Sequence, residues 1–160
     1  MKKVFAVYLL IVLFVLSGCK IKEYTPVIPI SFTNDVEVYT GDFSFSCEIC
    51  KTEQSVTALV TNTNAKGMSM TYDGANLSFT YNDFSYDIDG SKFEKNNIAI
   101  VIFEVFDYIN KTEDLNAKKL DEGYRYDGKI SIGNFTLIQN DDNSFQSIEI
   151  KECDYKIIFA

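Results

Sequence analysis

Beyond Ile30 apolar and polar residues alternate with a period of two nearly everywhere, the pattern of strands that bury one face. Val36 and Val38 share a face, and Thr40-Gly41-Asp42 reads as a turn. Phe43, Phe45, Cys47 and Ile49 make the next stripe, on a strand predicted over 42–51. Val56, Ala58 and Val60 follow, closed by the polar run 61–64 and Gly67; Met68, Met70 and Tyr72 predict a fourth strand that ends at Asp73-Gly74. Leu77, Phe79 and Tyr81 then fall on odd positions and Phe84, Tyr86 and Ile88 on even ones. A parity switch across Asn82-Asp83 is what a two-residue hairpin loop produces, since both residues tolerate the left-handed backbone it needs.

The alternation stops over 96–111. Ile98, Ile100, Val101, Ile102 and Val105 favour strand by propensity, but Asn97, Glu104, Tyr108 and Lys111, with Asp107 beside them, form one wet stripe at helical spacing. The segment is predicted as a mostly buried helix, capped by Asn96 or Asn97. So wide an apolar surface needs partners on more than one side, which a curved sheet would supply. The charged stretch 112–123 reads as a loop with a helical turn near 115–120. Strands then return: Tyr124, Tyr126, Ile130 and Ile132, a break at Gly133-Asn134, Phe135 and Leu137, a turn at 140–143, Ile148 and Ile150 within 144–152, and a closing strand carrying Tyr155, Ile157 and Phe159.

The N-terminus follows another logic. Lys2 and Lys3 precede thirteen apolar residues, Val4 to Leu16, and Leu16-Ser17-Gly18-Cys19 comes at once. The run is short of the roughly 20 residues that span a bilayer. It resembles a lipoprotein signal peptide, with Leu16, Ser17 and Gly18 as the lipobox and Cys19 as the residue that is acylated and becomes the new N-terminus. The expected organisation is a signal at 1–18, a lipidated tether at 19–30 containing Pro26 and Pro29, and a single domain at 31–160. The expected location is outside the cytoplasm, anchored to a membrane through lipid on Cys19.

Composition narrows the chemistry. Cleavage removes two of the 15 basic residues and none of the 23 acids, taking the formal charge from −8 to −10. Nucleic acid is therefore not expected as a partner, and membrane contact falls to the acyl chains rather than to basic residues. With no His in the chain there is no Ser–His or Cys–His pair and no imidazole for zinc. Neither a phosphate-binding glycine loop nor a GxSxG elbow occurs. No cofactor, metal or catalytic constellation is expected, and the chain reads as non-enzymatic.

The order of elements, with a hairpin feeding the buried helix over 74–109 and a terminal ribbon over 133–159, resembles the superfamily of LolA, LolB and LppX-like envelope lipoprotein factors, and within it the small lipoproteins of Gram-positive bacteria. The resemblance implies an α+β, mainly antiparallel fold: a curved, incomplete barrel whose concave side is plugged by one central helix and offers room for acyl chains or another apolar molecule. LolA itself lacks a lipid anchor, Arg125 does not fall on the family's buried arginine, and no protruding apolar loop like that of LolB is present. A transfer mechanism is accordingly not implied.

Three sets of residues remain as candidates. Cys47, Cys50 and Cys153 would reach a compartment where disulfides persist. Cys47 and Cys50 sit about 10 Å apart on one strand, too far for a bridge. Cys47 is in phase with Phe43, Phe45 and Ile49, and Cys153 with Tyr155, Ile157 and Phe159 of the last strand. Cys47–Cys153 is therefore the favoured pair, with Cys50 left free on the opposite face, three unpaired thiols being equally open and redox or metal work the lesser alternative. Asp83, Asp87, Asp89, Asp141 and Asp142 sit at turns, where Asp is favoured for backbone hydrogen bonding alone. Met68, Met70, Tyr72, Phe79, Tyr81, Phe84 and Tyr86, with Ile102, Phe103 and Phe106 of the helix, either line an apolar pocket or fill the core. The two corresponding functions are a lipid-binding lipoprotein and a structural lipoprotein that contacts another envelope protein.

Overall fold

In a computed structural model that describes residues 27–112, 115 and 117–160, the alternating stripes become strands. The signal segment, the lipobox, Cys19 and the tether up to Pro26 lie outside the described residues. The first meander comprises β1 (Phe32–Thr40), β2 (Phe43–Lys51), β3 (Val56–Val60), β4 (Ser69–Tyr72), β5 (Asn76–Tyr81) and β6 (Phe84–Asp89). After the helix α1 (Ile98–Lys111) comes a second, of β7 (Lys118–Leu120), β8 (Gly123–Ile130), β9 (Gly133–Gln139), β10 (Phe145–Ile150) and β11 (Tyr155–Phe159). Asn82 takes a φ of 52° and Tyr81 pairs with Phe84, so the two-residue hairpin loop forms as the parity switch demands.

All pairings are antiparallel, and the two meanders join where the first strand meets the last. The order is β6-β5-β4-β3-β2-β1-β11-β10-β9-β8-β7, which among the described residues leaves β6 and β7 as free edges. β3 and β8 stand six spacings apart in that order, about 29 Å across a flat sheet at 4.8 Å per strand. The same helix, about 10 Å wide, packs on β3, β4 and β8. A single rod reaches both only if the sheet curls around it, so the expected incomplete barrel with a plugging helix follows from the strand order and helix contacts alone.

Packing overrides propensity in α1. Ile98, Ala99, Ile100, Val101 and Ile102 are all buried in succession, a stretch whose β-branched residues would scarcely form a helix in isolation. Asn97 is the cap: its Oδ1 accepts from Ala99 N at 3.0 Å and its Nδ2 lies 3.2 Å from Met70 Sδ. The wet stripe keeps its polar contacts, with Glu104 Oε2 accepting from Ser131 N at 2.9 Å and Asp107 paired to Lys111 at 2.9 Å.

The charged connection departs from expectation. Lys118–Leu120 forms the short edge strand β7 on β8, with Lys118 opposite Arg125, where a helical turn was predicted near 115–120. Lys119 lies over the Tyr124 ring at 4.4 Å and pairs with Asp141. A three-residue ribbon with two such tethers competes well against a single unsupported helical turn.

The three described cysteines are free thiols. Cys153 lies in the 3₁₀ turn Lys151–Cys153, off the strand, so it does not share the face of Tyr155, Ile157 and Phe159. Val36 is level with Cys47 and Thr40 with Tyr155, which sets the two cysteines at levels at least about 13 Å apart along the strands. The favoured Cys47–Cys153 bridge is therefore absent. Burial, reinforced by Asp35, pushes the Cys47 thiol up to about 12 and leaves it inert. Labelling with maleimide under native conditions is expected to modify exposed Cys50 and Cys153 and to reach Cys47 only after denaturation; native labelling of Cys47 would contradict this packing.

Candidate ligand-binding surface

Directly opposed residues of antiparallel strands share a face, so the register sorts the predicted pocket residues into rows on the concave side. Met70, Phe79 and Tyr86 form one row across β4, β5 and β6; Tyr81 and Phe84 form the next. Leu77 and Tyr72, on the same face, are buried, and the Phe103 ring of the helix meets Tyr72 at 5.1 Å, edge to face. The helix starts near Met70, so the hairpin runs on past its end. Burial falls accordingly: Met70 is 5% exposed, Tyr81 42%, Tyr86 65% and Phe84 80%. Phe79 is half-covered by Phe93, ring centroids 5.2 Å apart.

The predicted set thus divides. Met70, Ile102 and Phe106 are buried core, and Met68, Phe79 and Phe103 are half-buried against it. Tyr81, Phe84 and Tyr86 stand in solvent on the inner face of the β5–β6 hairpin. Together with Phe79 they form an aromatic shelf at the mouth of the half-barrel. The register brings the shelf residues side by side, whereas Phe106 packs elsewhere, on Phe32 and Phe145.

A concavity of about 580 Å³ opens on the second meander between Tyr108, Arg125, Asp127, Lys129, Glu149 and Lys151. It takes no wall from the predicted set. Arg125 Nε and Nη2 both donate to Asp127, at 2.9 and 2.8 Å to Oδ1, and Thr136 Oγ1 adds a bond of 2.7 Å. The Arg125 guanidinium, and then the Thr136 hydroxyl against some desolvation, holds the Asp127 carboxyl below its ordinary range. The single arginine is engaged by its own strand neighbour and is not offered as a free anion clamp. Among the described residues no three Cys, Asp or Glu side chains gather as metal ligands would.

Two buried polar residues were missed in the sequence. Lys51 Nζ donates to Ile30 O at 3.1 Å and Thr52 O at 2.8 Å, and Gln139 Nε2 donates to Val27 O at 3.0 Å and Asn143 O at 3.1 Å. Gln139 Oε1 also accepts from the Tyr126 hydroxyl at 2.8 Å. Together they fasten the segment 27–30 to the domain, which fixes where the lead-in leaves the sheet. The signal was available: Lys51 is in phase with Cys47 and Ile49, and Gln139 with Phe135 and Leu137.

Tyr155 carries a different polar burden. Its hydroxyl is buried with no hydrogen-bond partner. Burial first, then the nearby Cys47 and Cys153, push the phenol far above its ordinary value. The folded protein holds it neutral while the unfolded chain ionises near pH 10, so this contribution is intact below pH 10 and is lost as pH rises beyond it. Tyr155→Phe is expected to stabilise the protein by about 1 kcal/mol at neutral pH by removing an unsatisfied hydroxyl. It should also flatten the alkaline loss; urea melts of both proteins from pH 7 to 11 check the two effects together.

No family model and no curated protein matches the chain. Among solved structures, the crystal structure of a LolA superfamily protein from Nitrosomonas europaea is similar, with a TM-score of 0.37 and 15% identity, over 75% of this chain and 63% of that one.

Proposed function

We propose that this chain is a lipid-anchored envelope lipoprotein that binds an acyl chain or comparable apolar molecule on the aromatic shelf, without catalysing a reaction. The observation that carries this reading is the exposure of Tyr81, Phe84 and Tyr86 on the concave face, where a sheet of this kind ordinarily buries its aromatic residues. Large exposed apolar patches mark binding surfaces more often than accidents of folding. The lipobox ending at Cys19 and the resemblance to the LolA superfamily support the anchor and the class of ligand. The ligand lies along the mouth, because the interior behind it is filled by α1.

Native mass spectrometry of residues 20–160 from bacterial periplasm, followed by organic extraction, tests the reading. A co-purifying lipid is expected, and Phe84→Ser with Tyr86→Ser should weaken uptake of a fluorescent fatty acid by about tenfold or more, each aromatic contributing roughly 1.5 kcal/mol or above when covered. Cys19→Ser should shift the intact protein from the membrane to the soluble fraction; retention on the membrane would overturn the anchor.

A second reading, a structural lipoprotein that meets another envelope protein, draws on the filled core: Ile100, Val101, Ile102 and Val105 have no exposed surface at all. A clean apo mass with no fatty-acid uptake would select it.

A further inference from the structure

The two free edges of the sheet are built differently. β7 is three residues long and carries Lys118 and Lys119, the short, charged edge that discourages further pairing. β6 is six residues long, contains neither Pro nor Lys, and pairs only with β5 among the described residues. Its inner face presents Phe84 and Tyr86 to solvent.

The hairpin fixes which backbone groups face outward. Residues that flank a two-residue loop exchange both ladder bonds, and bonded and non-bonded pairs then alternate. Tyr81 with Phe84, Phe79 with Tyr86 and Leu77 with Ile88 are therefore the bonded pairs. The bond from Gly90 N to Ala75 O at 2.8 Å, two residues further along, confirms the phase. Ser85 and Asp87 consequently point their N–H and C=O groups away from the sheet, as an incoming strand requires.

The side chains say what that strand carries. On the concave side it would lie beside Phe84 and Tyr86, and on the convex side beside Ser85, Asp87 and Asp89. Apolar residues on one parity and basic ones on the other complement both faces. A second copy of this chain does not fit, because it would set one acidic row against another on molecules whose net charge is −8.

We propose that the free edge of β6 is a strand-addition site for an extended segment of a partner protein in which apolar and basic residues alternate. The site goes beyond acyl binding, since its affinity rests on the outward amides of Ser85 and Asp87.

A short peptide alternating valine and lysine, with a block-ordered peptide of the same composition as control, tests this on the intact protein in detergent. The alternating peptide is expected to slow hydrogen exchange at the Ser85 and Asp87 amides, while the ladder amides of Phe84 and Tyr86 keep their rates. Ser85→Pro removes an outward donor without breaking the ladder to β5, and should weaken peptide binding about tenfold while fatty-acid uptake is unchanged. Asp87→Lys, an exposed change that keeps the edge intact, should weaken it in a salt-dependent manner. Equal protection by the block peptide, no protection by either, or unaltered binding in both variants would overturn the proposal. So would protection of Ser85 and Asp87 that appears without peptide in a dimer of this chain.

Discussion

Phe106→Ala is expected to lower the unfolding free energy by about 3–5 kcal/mol, the usual cost of deleting a buried aromatic ring. The residue has no exposed surface. Its ring lies 5.0 Å from that of Phe32 and 4.9 Å from that of Phe145, with the Lys51 ammonium 5.9 Å from its centroid. Phe32 opens β1 and Phe145 opens β10, and these strands flank β11 at the junction of the two meanders. The ring therefore ties the helix to both halves of the sheet at the seam where they join. A domain of this size has about 5–15 kcal/mol in hand, so the variant should melt cooperatively at a much lower urea concentration. Phe84→Ala, at the open mouth, should shift the midpoint by the equivalent of about 0.5 kcal/mol or less. Equal losses at the two sites would mean that the shelf is core and that the division drawn between them is wrong.

That division also marks what the sequence could and could not reveal. Parity assigned Phe79, Tyr81, Phe84 and Tyr86 to the inner face correctly, because the side-chain period of a strand is local. Their exposure depends on where α1 ends relative to β5 and β6, a tertiary quantity that parity does not contain. Phe43 shows the same effect: it is in phase with Cys47 and Ile49 yet 57% exposed, because β3 ends opposite Cys47 and leaves the start of β2 uncovered. Asn97 was legible as a cap since capping is local chemistry. The Cys47–Cys153 pairing failed for the converse reason. It assumed that Cys153 continued the last strand, whereas Asp154, at φ 49°, ends a turn before that strand begins. The concavity beside Arg125 and Asp127 could not be seen from one strand at a time, since Glu149 and Lys151 reach it from β10 and the turn that follows.

Gly123→Ala should be about as damaging as any single methyl addition in the chain, at about 3 kcal/mol or more, because strain and collision combine at one position. Gly123 opens β8 with φ at 122°, a backbone conformation that L residues rarely adopt, and a Cβ placed there would stand 2.1 Å from Gln139 O. That oxygen belongs to the main chain of β9, opposite Tyr124, so it cannot swing aside as a side chain would. Relief requires β8 and β9 to separate at this end or the β7–β8 turn to change conformation. Either movement displaces Gln139, whose side chain joins the Tyr126 hydroxyl to Val27 O. The expected signature is therefore twofold: a lower denaturation midpoint, and faster hydrogen exchange at Tyr124 and Arg125, while the β5–β6 hairpin at the far edge keeps its rates. Gly133 provides the contrast. Its φ is also positive, but a Cβ there meets the ends of the Glu152 and Ile150 side chains, each 3.0 Å away. Gly133→Ala should cost about 1–3 kcal/mol, chiefly from backbone strain. If the two alanines proved equally costly, strain alone would account for both, and the close approach of β8 to the Gln139 carbonyl would carry no weight in holding the second meander together.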